Sequence, residues 1–104
     1  MTRVGANGGA CGFDAIIEVV RIDRDTVRVT IDSECEQITA MNPDLTILNW
    51  RRGVFCRMCE SRVYQSASHH INHTACPIPA AILKAIEVEV GIALPEDVSI
   101  SFQT

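Results

Sequence analysis

The chain has 104 residues, of which 47% are apolar and 21% charged, and its net charge is −4. This length predicts a single domain over residues 1–104, and the composition argues against a disordered or coiled-coil chain. The acidic balance disfavours a nucleic-acid partner, because surfaces that bind phosphate are basic. No apolar run approaches the ~18 residues of a membrane span, and the first ten residues lack the apolar stretch of a signal peptide. We therefore expect a cytoplasmic protein with no membrane partner.

Period-two hydrophobic patterns predict three strands. Residues 1–12 carry four of the six glycines and predict an N-terminal loop. Residues 13–22 are β-branched and apolar, and residues 26–31 alternate strictly between apolar and polar, so the two segments predict an antiparallel hairpin. Residues 98–103 alternate in the same way and predict a C-terminal strand.

Helix start and stop signals occupy the middle of the chain. A capping-box pattern at 33–36 predicts a helix from about Glu34, and Asn42-Pro43-Asp44 predicts a second helix that ends near Arg52. Apolar residues at helical spacing predict two more helices, over 60–70 and 77–89. The order β-β-α-α-α-α-β predicts an α+β fold, in which helices pack on one face of a small antiparallel sheet made of the N-terminal hairpin and the C-terminal strand.

Five cysteines are the unusual feature of the composition: Cys11, Cys35, Cys56, Cys59 and Cys76. An odd number of cysteines in a reducing compartment argues against a disulfide framework. Four interpretations remain, namely buried inert thiols, a redox pair, a catalytic thiolate and metal ligands.

Three of the cysteines lie at the ends of predicted elements. Cys11 precedes the first strand, Cys35 lies in the first turn of the helix after the second strand, and Cys76 precedes Pro77 at another helix start. Free N–H groups at a helix start stabilise the thiolate, which is the form that binds metal or attacks an electrophile. Because the two ends of a hairpin lie side by side, we expect Cys11 and Cys35 at one edge of the sheet.

The segments around these cysteines are Gly9-Ala10-Cys11-Gly12, Asp32-Ser33-Glu34-Cys35-Glu36 and Ala75-Cys76-Pro77. In their order along the chain they resemble the U-type iron–sulfur scaffold family (the IscU/NifU N-terminal fold). The run Thr74-Ala75-Cys76-Pro77, followed by an apolar helix, also resembles the signature of the small TSCPD domains. The resemblance implies that Cys11, Cys35 and Cys76 ligate an iron–sulfur cluster.

The chain departs from the scaffold pattern at the residues that flank two of these cysteines. Asp14 stands three residues after Cys11 rather than two, and Glu34 and Glu36 replace the glycines beside Cys35. These departures bear on the assembly and transfer of a cluster more than on metal binding.

A second pattern, Cys56-x2-Cys59-x13-His73-x2-Cys76, matches the ligand spacing of structural zinc sites. It competes with the first pattern for Cys76. His69 and His70 lie at the end of a predicted helix, where the helix dipole favours solvated histidines. His73, in the loop before Cys76, is the better candidate ligand.

The leading hypothesis is a metal-binding protein that holds an iron–sulfur cluster. Cys11, Cys35 and Cys76 would be its primary ligands, Cys59 or Cys56 the fourth, and His73 a reserve. It would act as a carrier, a scaffold or an electron-transfer accessory of a protein partner, without catalysis of its own.

Three alternatives remain open, of which the last is a metal-free interaction domain with buried thiols. The first is a structural zinc site in a partner-interaction module, with ligands Cys56, Cys59, His73 and Cys76. The second is a thiol-based redox enzyme or a Cys-nucleophile enzyme, in which His73 serves Cys76 or Cys35 as a base. The sequence also leaves a homo-oligomer open.

Overall fold

A computed structural model describes all 104 residues. An antiparallel sheet lies at its centre, with the strands in the order β1-β2-β3-β4. The strands are Thr2–Asn7 (β1), Asp14–Arg21 (β2), Thr26–Ser33 (β3) and Leu48–Asn49 (β4). The helices are Glu36–Thr39 (α1), Asn42–Leu45 (α2), Arg62–His70 (α3) and Ile78–Glu89 (α4). The predicted α+β class is confirmed.

The core lies between one face of the sheet and the helices. Alternation along β2 and β3 buries residues such as Ile17 and Val29, while Arg28 and Thr30 on the opposite face are exposed. α4 packs against β1 and β2, while α1 and α2 pack against β3. Each large apolar side chain buried in this way contributes about 1.5–3 kcal/mol. The hairpin, α3 and α4 formed as predicted, because their periodic apolar residues are those that reach this core.

The N-terminal segment is a strand rather than the predicted loop. β1 pairs along its length with β2, and its side chains alternate between half-buried and exposed positions. Val4 and Ala6 pack against the core. Gly5 lies opposite Ile16, whose Cδ1 is 3.7 Å from the position of a Cβ on that glycine. The glycine content suggested a loop, but only residues 8–13 connect the two strands.

The C-terminal strand predicted at 98–103 does not form. No strand or helix follows α4. Val98, Ile100 and Phe102 are 64%, 82% and 92% exposed. A period-two pattern makes a strand only where another strand offers its N–H and C=O groups, and β1 takes the place beside the hairpin that this segment was expected to fill.

The helix predicted from Asn42 to Arg52 ends at Leu45 instead. Leu48, in β4, pairs with Val27 of β3, and the Trp50 N–H donates to the Asp25 carbonyl at 3.0 Å. The Trp50 indole is buried, and its Nε1 donates to the Arg24 carbonyl at 3.2 Å. These contacts bring the chain back to the β2–β3 turn.

The side chain of Asn42 occupies the free edge of β3. Its Oδ1 accepts the Ile31 N–H at 2.8 Å, and its Nδ2 donates to the Ile31 carbonyl at 2.9 Å. Ile31 thus finds both main-chain partners in one side-chain amide. This pair of bonds also fixes the start of α2 against the sheet.

Glu89 fastens the C-terminal end of α4 to the first two strands. Its carboxylate accepts hydrogen bonds from the Thr2 hydroxyl at 2.8 Å and the Arg21 N–H at 2.9 Å, and it lies 3.4 Å from the N-terminal ammonium. Burial alone would raise the pKa of Glu89, but these bonds outweigh it and the pKa is lowered. The carboxylate is therefore charged in the folded protein at neutral pH.

None of the helices has the length and apolar character needed to cross a membrane.

Candidate metal centre

Cys11 and Cys35 lie at the same end of the sheet, as predicted. Cys11 ends a short 3-10 turn between β1 and β2, and Cys35 follows β3. The strand register pairs Asn7 with Asp14 and Ala15 with Ser33. The end of β1, the start of β2 and the end of β3 are therefore adjacent.

Two hydrogen bonds of Ser33 join these connections. Its hydroxyl donates to the Asp14 carbonyl at 2.6 Å and accepts the Cys35 N–H at 3.1 Å. Cys35 is consequently the N-cap of α1, which begins at Glu36, rather than a residue of the first helical turn as predicted. The Ser33 hydroxyl serves the residue before the helix, so the predicted capping box does not form.

The Cys76 loop reaches the same region through α1. The Asn72 N–H donates to Gln37 Oε1 at 2.9 Å, which joins the segment before Cys76 to the helix that follows Cys35. Cys76 precedes α4, as predicted. Both Cys35 and Cys76 are half-buried and pack against the core, whereas Cys11 is exposed.

The environment of the Cys76 thiol raises its pKa. Burial raises this pKa, and the nearby Cys35 and Cys11 thiols raise it further, while the Ile78 N–H acts in the opposite direction. The raised pKa keeps metal-free Cys76 protonated at neutral pH. A catalytic cysteine needs a lowered pKa, so this environment argues against Cys76 as a nucleophile.

The three sulfurs do not yet form a ligand set. No three His, Cys, Asp or Glu side chains lie close enough to hold a metal ion as they stand. The Cys11 Sγ occupies the space that a Cβ on Gly8 would fill, so the thiol is folded over its own loop. Gly9 and Gly12 in that loop have φ values of 80° and 75°, a region that favours glycine. Ligation would require the Cys11 side chain to turn away from Gly8.

Cys56 and Cys59 are apart from this group. Both are exposed in the segment between β4 and α3, whereas Cys76 lies in the connection between α3 and α4 and packs against the core. His73 is exposed in the loop before Cys76. The structure therefore does not assemble the four residues of the predicted zinc pattern as ligands of one ion.

A cluster of Asp44, Ser66 and His70 was not predicted. Asp44 Oδ2 accepts the Ser66 hydroxyl at 2.6 Å and lies 3.1 Å from His70 Nε2. The Ser66 bond and, after it, His70 lower the pKa of Asp44, although partial burial opposes them. In a catalytic triad the histidine lies between the serine and the carboxylate, whereas here the carboxylate lies between the other two. The cluster ties α2 to α3, and no spacing in the sequence signals it.

A shallow acidic groove lies beside Cys11 and Cys35. Its lining includes Asp14, Asp32 and Glu34, together with Phe13 and Ser33. Three carboxylates in one groove attract cations and basic surfaces. The acids are visible in the sequence, but only the strand register brings them together.

Residues 2–102 match the model of DUF6951, a family of unknown function. The match spans nearly the whole chain, which therefore belongs to this family. No curated protein and no solved structure matches the chain.

Proposed function

We propose that this protein binds an iron–sulfur cluster through Cys11, Cys35 and Cys76 and carries it for a protein partner. The observation that supports the proposal is the convergence of three cysteines from three separate connections on one region, where the Cys35 and Cys11 thiols contribute to the raised pKa of Cys76. Chain segments far apart in sequence bring these thiols to one end of the sheet. Buried inert cysteines would have no reason to gather at such connections.

The chemistry of this end suits a thiolate-bound cluster. Soft thiolate ligands select iron–sulfur clusters and zinc over hard cations. The Ile78 N–H near the Cys76 sulfur favours the thiolate once a metal replaces the proton. Two of the three cysteines are half-buried, which shields a bound cluster from solvent on the core side.

Three cysteines leave one position of a four-ligand cluster without a protein thiolate. Cys56 and Cys59 lie outside the group, so His73, in the same loop as Cys76, takes the role of reserve ligand. A position held by a weaker ligand suits a cluster that is passed on. The acidic groove beside Cys11 favours a partner with a basic surface.

The raised pKa of Cys76 gives the proposal a pH dependence. Because the thiol is protonated before binding, each binding event releases its proton, and metal affinity rises with pH. Free cysteines also suit a reducing compartment, and we place the protein in the cytoplasm.

The test is anaerobic reconstitution with iron and sulfide, followed by assays of both and by visible absorption. We expect wild-type protein to turn brown and to hold iron and sulfide in similar amounts. Cys35→Ser and Cys76→Ser should lose nearly all of both. The matched control is Cys56→Ser/Cys59→Ser, which removes two exposed thiols and should keep the full amount.

Two results would contradict the proposal. One is a Cys76→Ser variant that retains the cluster. The other is a colourless wild-type protein that takes up zinc alone and loses that zinc in the Cys56→Ser/Cys59→Ser variant.

A further inference from the structure

The Cys56–Cys59 pair has no role in the proposed cluster site. Both thiols are exposed, and they lie in the segment between Gly53 and Ser61, where the only regular structure is one 3-10 turn over Met58–Glu60. Two cysteines separated by two residues are a common half of a thiolate metal site. The pair is thus a metal-binding element without the rest of its site.

The chain supplies no further ligand to this pair. No group of three His, Cys, Asp or Glu side chains in the structure is placed to hold a metal ion, so no third residue of the chain joins the two cysteines as a ligand. Structural zinc is almost always bound by four ligands in a tetrahedron. The two missing ligands must come from outside the chain, and a second copy offers the same pair again. A two-fold axis through the metal would relate the two pairs.

The surroundings of the pair suit such an interface. Phe55 and Met58, one on each side of Cys56, are 40% and 71% exposed and would be buried between two copies. Arg52 and Arg57 form no ion pair within the chain and are exposed. Four thiolates around one Zn²⁺ carry a net negative charge, which these guanidinium groups would offset.

The backbone of the pair also retains donors. The N–H groups of Met58 and Cys59 make no hydrogen bond within the chain, whereas those of Glu60 and Ser61 donate to the Arg57 carbonyl. These free N–H groups can donate hydrogen bonds to metal-bound sulfur atoms, as outer-shell partners of metal ligands commonly do.

We propose that Cys56 and Cys59 of two copies of this chain together bind one Zn²⁺ ion and thereby form a symmetric homodimer. The site would be independent of the one at Cys11, Cys35 and Cys76. It uses different residues, a different metal and a second molecule.

The test measures zinc content and mass in solution for the full-length protein, kept reduced with a non-thiol reductant. Wild-type protein titrated with Zn²⁺ should double its mass by light scattering and return to a monomer when a chelator is added. Cys56→Ser/Cys59→Ser should remain a monomer with Zn²⁺ and should bind about half a zinc ion per chain less than wild type. The matched control Cys11→Ser should still dimerise with Zn²⁺.

Three results would overturn the inference. They are a zinc-dependent dimer that persists in Cys56→Ser/Cys59→Ser, a difference of one whole zinc ion per chain without a change in mass, and equal zinc content in the two proteins. Failure of this test is separable from failure of the cluster proposal, because iron and sulfide content in Cys76→Ser is measured without Zn²⁺ and does not depend on a dimer.

Discussion

The two groups of cysteines differ in what holds them. Cys35 and Cys76 are half-buried against the core, at the end of a strand and the start of α4, and hydrogen bonds of Ser33 and Gln37 join their segments to neighbouring elements. Cys56 and Cys59 are exposed on a loop. Thiols positioned by a core suit a site that the chain completes almost by itself, whereas thiols on an exposed loop suit a site that a second molecule completes.

The largest expected difference between the two regions is in stability. Ile82 in α4 is fully buried, whereas Met58 beside the exposed pair is 71% exposed. Ile82→Ala should lower the free energy of unfolding by about 2–5 kcal/mol, because it leaves a cavity under the helix that follows Cys76. Met58→Ala should change it by less than about 0.5 kcal/mol. Urea unfolding of both metal-free variants measures this, and similar losses in the two would erase the distinction.

Glu89 tests how much the attachment of α4, the helix that follows Cys76, to the sheet stabilises the fold. Glu89→Gln should lower the free energy of unfolding at pH 7 by about 1–2 kcal/mol, because it weakens hydrogen bonds to a charged carboxylate. The folded-state pKa of Glu89 is lowered from 4.5, so its contribution is fully present above that pH and is lost as pH falls through the folded-state pKa. The gap between wild type and variant should therefore close in acid. A gap that is constant from pH 7 to acid would show that the charge has no part in it.

Ser61 allows a stability measurement beside the exposed loop of Cys56 and Cys59. Its hydroxyl is buried without a hydrogen-bond partner, two residues after Cys59. Ser61→Ala removes this unpaired polar group and should raise the free energy of unfolding by about 1 kcal/mol. Thermal unfolding of variant and wild type at one pH measures the change. A decrease instead would mean that the hydroxyl has a partner in solution. Ser68→Ala, on the exposed side of α3, serves as the control.

The smallest expected effect is a several-fold difference in thiol reactivity. With metal-free protein at neutral pH, a small alkylating reagent should modify Cys56 and Cys59 first. Cys76 should react several-fold more slowly, because it is half-buried and its raised pKa reduces its thiolate fraction. Mass spectrometry of the peptides follows each site separately. Selective modification of Cys76 would instead favour a thiol enzyme.

Residue patterns predicted the elements whose apolar spacing and end signals lie within the element itself. The hairpin and α4 follow from periodicity, and Pro77 and Gly91 mark the two ends of α4. The same patterns failed at the two termini. Val98, Ile100 and Phe102 alternate well but find no strand to pair with, whereas β1 contains Gly5 and still forms, because it pairs with β2 along its whole length.

The candidate site was predicted only in part, again because sequence patterns report on single elements and not on contacts between distant segments. The position of Cys11 before the hairpin and of Cys76 before α4 could be read from the sequence, because each depends on a neighbouring element. The separation of Cys56 and Cys59 from Cys76 could not be predicted. Residue spacing along the chain does not give the direction in which α3 runs between the two segments. The bonds from Ser66 and His70 to Asp44 join residues more than 20 positions apart and leave no local signal.

The paired bonds of Asn42 with Ile31 have a consequence for self-association. Exposed strand edges act as templates on which further chains add. The Asn42 amide bonds both the N–H and the carbonyl of Ile31, and so it blocks the free edge of β3 to an incoming strand. The long edge strand that remains uncovered is then β1, and aggregation of this protein by strand addition would start at β1.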